Sequence, residues 1–217
     1  MKYVILANSN NIDFKTPRQL TVINGEPLVV RTIRLLKENG INDIVICAKD
    51  KQFDNLGAIR FEPINSDYDY QTGKGYWLNA FPFELLNEPV CFIWGDVYFS
   101  KNAIKTIVET PTDSTLFFCS YENHSPLYIK DWDEPLAYKV VDTNLFKESI
   151  NETKRIYDEK GTWRHPIVWE LYRVIHGQNI NVHNMTTDYI AINDESCDID
   201  NLDDIIKLKK IVEGKND

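Results

Sequence analysis

The chain has 217 residues, a formal net charge of -9, and 43% hydrophobic and 26% charged residues. That balance suits a globular chain with one good core. Its negative sign argues against nucleic acid and anionic lipid as partners. An anionic small molecule stays allowed, provided the site gathers local cations or borrows a metal ion. No apolar run approaches the roughly 20 residues of a membrane span, and the run before Asn8 is too short for a secretory signal. Cys47, Cys91, Cys119 and Cys197 form no Cys-x-x-Cys pair, and three lie in apolar runs. Buried, reduced thiols and a cytoplasmic setting are expected.

Lys2 to Ala7 reads as a short buried strand. Residues 8–20 are polar and turn-prone, and Asn24-Gly25 makes a turn. Pro27 opens a helix that ends near Asn39-Gly40, with Val29, Ile33 and Leu36 at helical spacing and Val30 widening the apolar face. Gly40 suits a left-handed C-terminal cap. The near-continuous apolar run 43–48 is expected of a parallel strand covered on both faces, and a weaker strand follows at 58–61. Residues 65–75 form a second polar segment, and 76–86 reads as a helix with Gly73-Lys74-Gly75 at its N-terminal end. Residues 90–94 form a buried strand that runs directly into Gly95-Asp96. Ser100 can cap a helix reaching Glu109, and 114–120 is another strand. This alternation predicts an α/β fold, an open, mixed, mostly parallel sheet with helices on both faces.

From Tyr121 the regularity weakens. Residues 121–135 favour a loop, 136–141 a strand, 146–157 and 166–175 helices, and 180–184 and 189–192 short strands. Residues 200–213 form a closing helix with apolar Leu202, Ile205, Ile206, Leu208 and Ile211. The tail 214–217 is expected to fray. No repeat or linker interrupts the chain, so one domain is expected over 1–217. Its core would span 1–120, a second region 121–190, and a closing segment 191–217.

The residues that can carry chemistry fall in few places. A strand, a polar loop with cations and a helix form a common phosphate-handling arrangement, with Lys15 and Arg18 as the cations. Asp96 follows a buried strand, which puts it at the carboxyl end of the sheet where open α/β folds bind ligands; a plain turn aspartate has the same pattern. Asp200 reads as a helix N-cap, with Asp203 and Asp204 at the positive end of that helix. Thr72-Gly73-Lys74-Gly75 can admit a base or phosphate against the backbone, or can be an ordinary loop with a solvated lysine. Lys139 lies on a late strand. Arg164, His165 and Trp169 belong to a stretch dense in aromatic and basic residues, although Trp169, Tyr172 and Ile175 also have core spacing. The histidines show no metal-ligand spacing. No Ser-His-Asp order, thiol nucleophile setting or zinc pattern stands out, which favours a reaction without a protein nucleophile.

Ile5-Leu6-Ala7, Pro17-Arg18-Gln19-Leu20, Asn24-Gly25-Glu26-Pro27-Leu28, Phe92-Ile93-Trp94-Gly95-Asp96-Val97 and the run from Cys197 to Ile205 together resemble the sugar-phosphate nucleotidyltransferases. In that family the first loop is glycine-rich and the Pro-x-x-Leu element carries a lysine. Here Asn8, Ser9, Asn10 and Asn11 replace the glycines and Arg18 replaces the lysine. Asparagine tolerates left-handed backbone, and Arg18 keeps the charge and gains a fork suited to phosphate.

The resemblance implies a Rossmann-like fold and an enzyme that joins an NTP to a phosphorylated small acceptor, releasing pyrophosphate. It implies Mg2+ held by Asp96 and Asp200, with Asp198 as the alternate. It places Arg18, Lys15 and Lys139 in the chemistry. The nucleotide would meet Leu6, Ala7, Asn8, Ser9, Arg18, Thr72, Gly73, Lys74, Gly75 and Gly95. The acceptor would meet Lys139, Arg164, His165 and Trp169. CTP is the favoured donor because the chain is small and insertion-poor. A surface-polysaccharide precursor is the family-level acceptor, with neither nucleic acid nor membrane as partner, and a homodimer is left open. A glycosyltransferase on a related fold would usually carry Asp-x-Asp, whereas this chain has Asp96-Val97-Tyr98. A binding protein without catalysis is the third reading, prompted by the missing loop glycines.

Overall fold

The structure is a computed structural model that describes residues 1–8, 14, 16–64, 75–120, 134–162, 164–182 and 188–213. In chain order the elements begin with β1 (Lys2–Leu6), a 3-10 turn at Arg18–Leu20, and a small hairpin of β2 (Val22–Ile23) and β3 (Glu26–Pro27). Helix α1 (Leu28–Glu38), β4 (Ile44–Cys47) and β5 (Ile59–Phe61) follow. Two 3-10 turns, Trp77–Ala80 and Phe83–Leu85, lead into β6 (Val90–Trp94), β7 (Val97–Tyr98) and α2 (Lys101–Glu109). The remainder is β8 (Leu116–Ser120), β9 (Glu134–Val140), α3 (Thr143–Lys160), α4 (Val168–Ile175), β10 (Tyr189–Ile192), β11 (Cys197–Asp198) and α5 (Leu202–Glu213).

Seven strands form one sheet in the order β10-β8-β9-β6-β1-β4-β5. β1 is parallel to both β4 and β6, β4 to β5, and β8 to β10; β9 alone is antiparallel, to β6 and to β8. The sheet is therefore mixed and mostly parallel, as the strand and helix alternation predicts. Successive side chains of a strand face opposite sides, and both sides are covered. Ile5 and Ile93 join Ile33, Leu36 and Ile104 on the side of α1 and α2. Val4 and Phe92 join Phe146 and Leu171 on the side of α3 and α4.

Local chemistry fixes the element ends. Gly40 continues the chain past α1 at φ 82°, which a residue with a Cβ rarely adopts. The Ser100 hydroxyl accepts from the Ala103 N–H at 2.9 Å and starts α2. The Asp142 carboxylate does the same for α3 through the Leu145 N–H. Two predicted elements differ. The helix expected over 76–86 is two 3-10 turns, because Pro82 lacks an N–H and closes the first of them. The strand expected over 180–184 is absent from Ile180 to Val182, where the Asn179 side chain accepts from the Asn181 N–H and turns the chain; residues 183–184 lie outside the described residues. The four cysteines are free and buried. Burial pushes the Cys47 and Cys91 thiols up to about 12. Among the described residues no helix is long and apolar enough to cross a membrane.

Candidate active site

β1 and β6 end side by side, with Leu6 in register with Trp94. The chain leaves β6 through Gly95, whose N–H donates to the Leu6 carbonyl at 2.9 Å. A Cβ at Gly95 would fall 2.8 Å from that carbonyl oxygen and 3.1 Å from Gln19 Cγ. The glycine is thus required by the packing of β1 and the 3-10 turn against this loop. That packing accounts for the glycine at 95, which does not itself line the cavity described below.

Asp96 follows, and β7 then pairs antiparallel with β11, setting Val97 opposite Asp198. A short network seats β11: the Ser100 N–H donates to Ser196 Oγ, and Ser100 Oγ donates to Asp194 Oδ2 at 2.5 Å. Past β11, the Ile199 N–H donates to the Asp96 carbonyl at 3.1 Å. Two loops far apart in sequence are thereby laid against each other, and their carboxylates meet. Asp200 does not cap α5. Asn201 does, accepting from the Asp204 N–H, while Asp204 accepts from the N–H groups of Asp200 and Asn201. The predicted cap role passes to its neighbour, and the Asp200 carboxylate turns to Arg18.

Arg18 joins the two loops. Its Nη2 is 2.5 Å from Asp96 Oδ2 and its Nη1 is 3.2 Å from Asp200 Oδ1, with Asp96 13% and Asp200 55% exposed. Burial alone would lower the guanidinium's affinity for its proton, but Asp96, Asp200 and Asp198 more than offset it and hold the group above its ordinary range. The Asp96 carboxyl is pushed up by burial, with Arg18 opposing and Asp198 reinforcing. The two shifts have different causes: the carboxylates hold the proton on Arg18, whereas burial outweighs Arg18 at Asp96. Two carboxylates near enough to touch the same cation are a donor set that a hard divalent cation fits. Among the described residues no group of three or more His, Cys, Asp or Glu side chains could hold a metal ion by itself. Mg2+ is ordinarily held by one or two carboxylates plus substrate phosphates, so a complete protein cage is not required.

These side chains line a cavity of about 160 Å3. Leu6, Asn8, Arg18, Asp96, Asp198 and Asp200 line it, together with Trp77, Phe81, Trp94, Glu134 and Trp169. Asn8 is tied to the end of β4, its Oδ1 accepting from the Lys49 N–H at 2.8 Å. Val97 and Tyr98 are buried in β7, so the Asp96-Val97-Tyr98 run supplies one carboxylate.

The structure separates the other predicted site residues. Ala7 is buried and its N–H donates to the Cys47 carbonyl; it does not line the cavity. Gly75 is exposed at φ 79° and lies outside the lining. Lys139 is a correction. Because β9 runs antiparallel, Lys139 pairs with Cys91 near the start of β6, and it is Glu134 at the other end of β9 that reaches the cavity. The Lys139 ammonium is buried on the carbonyls of Val108 and Thr110, at 3.1 and 2.5 Å, at the C-terminal end of α2. Arg164 and His165 do not line the cavity either. Arg164 donates to Glu170 at 3.0 Å and lies over the Trp169 ring, while His165 packs on Tyr76 and Tyr157. Ser9, Lys15, Thr72, Gly73 and Lys74 lie outside the described residues.

The aromatic lining of Trp77, Phe81 and Trp94 was not among the predicted site residues. Trp94 sits one residue before Gly95-Asp96, and that position was its available signal.

No protein-family model matches the chain, and no curated protein does. Solved structures do. A CTP:phosphocholine cytidylyltransferase from Streptococcus pneumoniae (LicC) is similar at 19% identity, with 97% of this chain and 98% of that one covered and a TM-score of 0.56. A putative glucose-1-phosphate thymidylyltransferase from Bacillus anthracis is similar at 11% identity over 97% and 94%, with a TM-score of 0.63. The fold is that of the nucleotidyltransferases. A third structure with this nucleotidyltransferase-type fold, HddC from Yersinia pseudotuberculosis, has 15% identity over 97% and 98% and a TM-score of 0.54.

Proposed function

We propose that this chain is a magnesium-dependent nucleotidyltransferase that joins an NTP, with CTP as the favoured donor, to a phosphorylated small acceptor. The observation that carries the reading is the grip of Asp96 and Asp200 on one guanidinium, at the carboxyl end of β1 and β6. Ligands of open α/β sheets bind at that end. An oxygen of the acceptor phosphate attacks the α-phosphorus in line. As that bond forms, the bond from the α-phosphorus to the bridging oxygen breaks, and pyrophosphate leaves with the electron pair. A phosphate is already ionised near neutral pH, so no side chain has to remove a proton.

Asp96 and Asp200 would hold Mg2+, which when bound supplies positive charge to the phosphates and aligns them. Arg18 offers a planar fork to phosphate oxygens and keeps its charge beside three carboxylates. CTP as donor is supported by the small size of the chain and by the cytidylyltransferase among the similar structures. Four free, buried thiols suit a reducing, cytoplasmic setting.

A thermal-shift series with Mg2+ and each of the four NTPs tests this. A ligand at a hundredfold excess over its Kd stabilises the folded state by about 2.7 kcal/mol. The expected result is stabilisation by CTP, lost in EDTA and in Asp96→Asn. A shift with sugar nucleotides and none with any NTP would replace this reading by the glycosyltransferase one.

A further inference from the structure

We infer that Asp194 is a positioning residue for the metal site, setting through Ser100 and Ser196 how β11 lies against β7 and so how Asp96 and Asp200 come together; this rests on the magnesium-dependent reading above. Asp96 and Asp200 lie on loops far apart in sequence, and the ladder that aligns them is short. β7 and β11 pair Val97 with Asp198 and Tyr98 with Cys197, and no further. Strands of globular proteins usually run to about 3–10 residues, so this ladder has few bonds with which to hold its own register. A slip by one residue would shift the chain leading to Asp200 by roughly 3.3 Å and turn the side chains of β11 to the opposite face. The register is therefore fixed at the ends of the ladder.

At the Asp96 end stands the bond from the Ile199 N–H to the Asp96 carbonyl. The other end carries a clamp. The Ser100 N–H donates to Ser196 Oγ at 2.9 Å, the Ser196 N–H to Asp194 Oδ1 at 2.8 Å, and Ser100 Oγ to Asp194 Oδ2 at 2.5 Å. One carboxylate thus takes a proton donor from each chain segment, with a different oxygen for each. Both serines are buried, so a lost bond leaves a polar group without water to replace it. Ser100 Oγ also accepts from the Ala103 N–H at the start of α2, whose Ala103, Ile104 and Ile107 are buried in the core. The clamp is therefore referenced to a rigid helix, and the positive end of that helix favours a carboxylate beside it. Asp96 stands four residues before Ser100, and Asp200 four residues after Ser196. The two carboxylates hang on arms of equal length from one clamp. Ser100, Asp194 and Ser196 do not line the cavity, so their effect on a ligand there passes through β7 and β11.

The test is Mn2+ binding to the full chain, read from the electron paramagnetic resonance signal of the free ion. Mn2+ stands for Mg2+ because both take octahedral oxygen sites. Binding that persists in Asp96→Asn is adventitious and is subtracted. Asp194→Ala should raise the Kd of the Asp96-dependent site by about tenfold or more, the usual cost of losing a group that holds metal ligands in place. Asp194→Asn, which keeps one accepting oxygen, should raise it less, and it decides the matter if Asp194→Ala does not fold. Lys139→Met is the control for general stability, because it removes a buried cation from the far end of the sheet; its Kd should match that of the wild type. An unchanged Kd in the Asp194 variants, or an equal rise in Lys139→Met, overturns the proposal and leaves the metal reading standing. A wild-type chain without any Mn2+ binding that Asp96→Asn removes would sink the metal reading itself, and the proposal with it.

Discussion

Arg18 and Lys139 are both cations packed against the central sheet, but they sit at opposite ends of it and are treated differently. Arg18 lies at the carboxyl end of β1 and β6, shared among Asp96, Asp198 and Asp200. Lys139 lies near the amino end of β6 and is met by two backbone carbonyls. Carbonyl oxygens solvate an ammonium with dipoles and leave its charge in place; burial then lowers the Lys139 pKa, with Cys91 opposing. The Arg18 guanidinium instead meets charged carboxylates from two loops at the end of the sheet where open α/β folds bind ligands. The nature of the partners, dipoles at one end and full charges at the other, separates a structural cation from one in a candidate site better than burial does.

The contrast can be broken experimentally. Asp96→Asn has the largest expected effect: turnover falls by about a hundredfold or more, as for a lost charge-stabilising group. Its melting temperature in EDTA should not fall, because burial disfavours the charged Asp96 carboxyl more than Arg18 supports it, and the neutral amide escapes that cost. Arg18→Lys keeps the charge but loses the fork that reaches Asp96 and Asp200 together, and pyrophosphate release should drop by about tenfold or more. Lys139→Met sharpens the other side. Stability should fall by about 1–3 kcal/mol as the Val108 and Thr110 carbonyls lose their donor, with turnover per folded molecule unchanged. Lost turnover in that variant with an unaltered melting temperature would restore Lys139 to the site. Gly95→Ala should cost about 1–3 kcal/mol in urea unfolding, because its Cβ meets the Leu6 carbonyl at 2.8 Å.

The smallest expected effect is a pH slope. Burial pushes the His176 imidazole below its ordinary 6.5, with Asp188 opposing. Between the folded and unfolded pKa values the unfolded chain therefore binds more protons, and stability falls as pH drops below about 6.5. His176→Phe should flatten that slope in urea midpoints measured from about pH 7 to 5.

Much of the first half of the fold was legible because its signals are local. The apolar runs at β1, β4 and β6 need no partner to be recognised, and Ser100 announces α2 three residues before the N–H it caps. Arg18, Asp96 and Asp200 could be picked by residue type and position, and the structure brings them together. What failed depended on direction or on competition between neighbours. Lys139 was placed by its strand, but only the antiparallel pairing of β9 decides which end of that strand meets the cavity. Asp200 and Asn201 are both good caps, and nothing local says that Asn201 takes the role. Gly95 has a packing reason that no local pattern shows, because its missing Cβ faces β1. Trp77 and Phe81 meet Trp94 only after the chain turns at Pro82, a proline that the expected helix over 76–86 had no place for.

In the proposed reaction Asp96 and Asp200 hold Mg2+ and Arg18 meets the phosphates of an NTP. The most direct test is pyrophosphate release from CTP with a set of phosphorylated small acceptors, measured with Mg2+ and with EDTA in the wild-type chain and in Asp96→Asn. Release that requires Mg2+ and collapses in the variant is the predicted result. Release that is unchanged in EDTA, or equal in Asp96→Asn, would contradict the account.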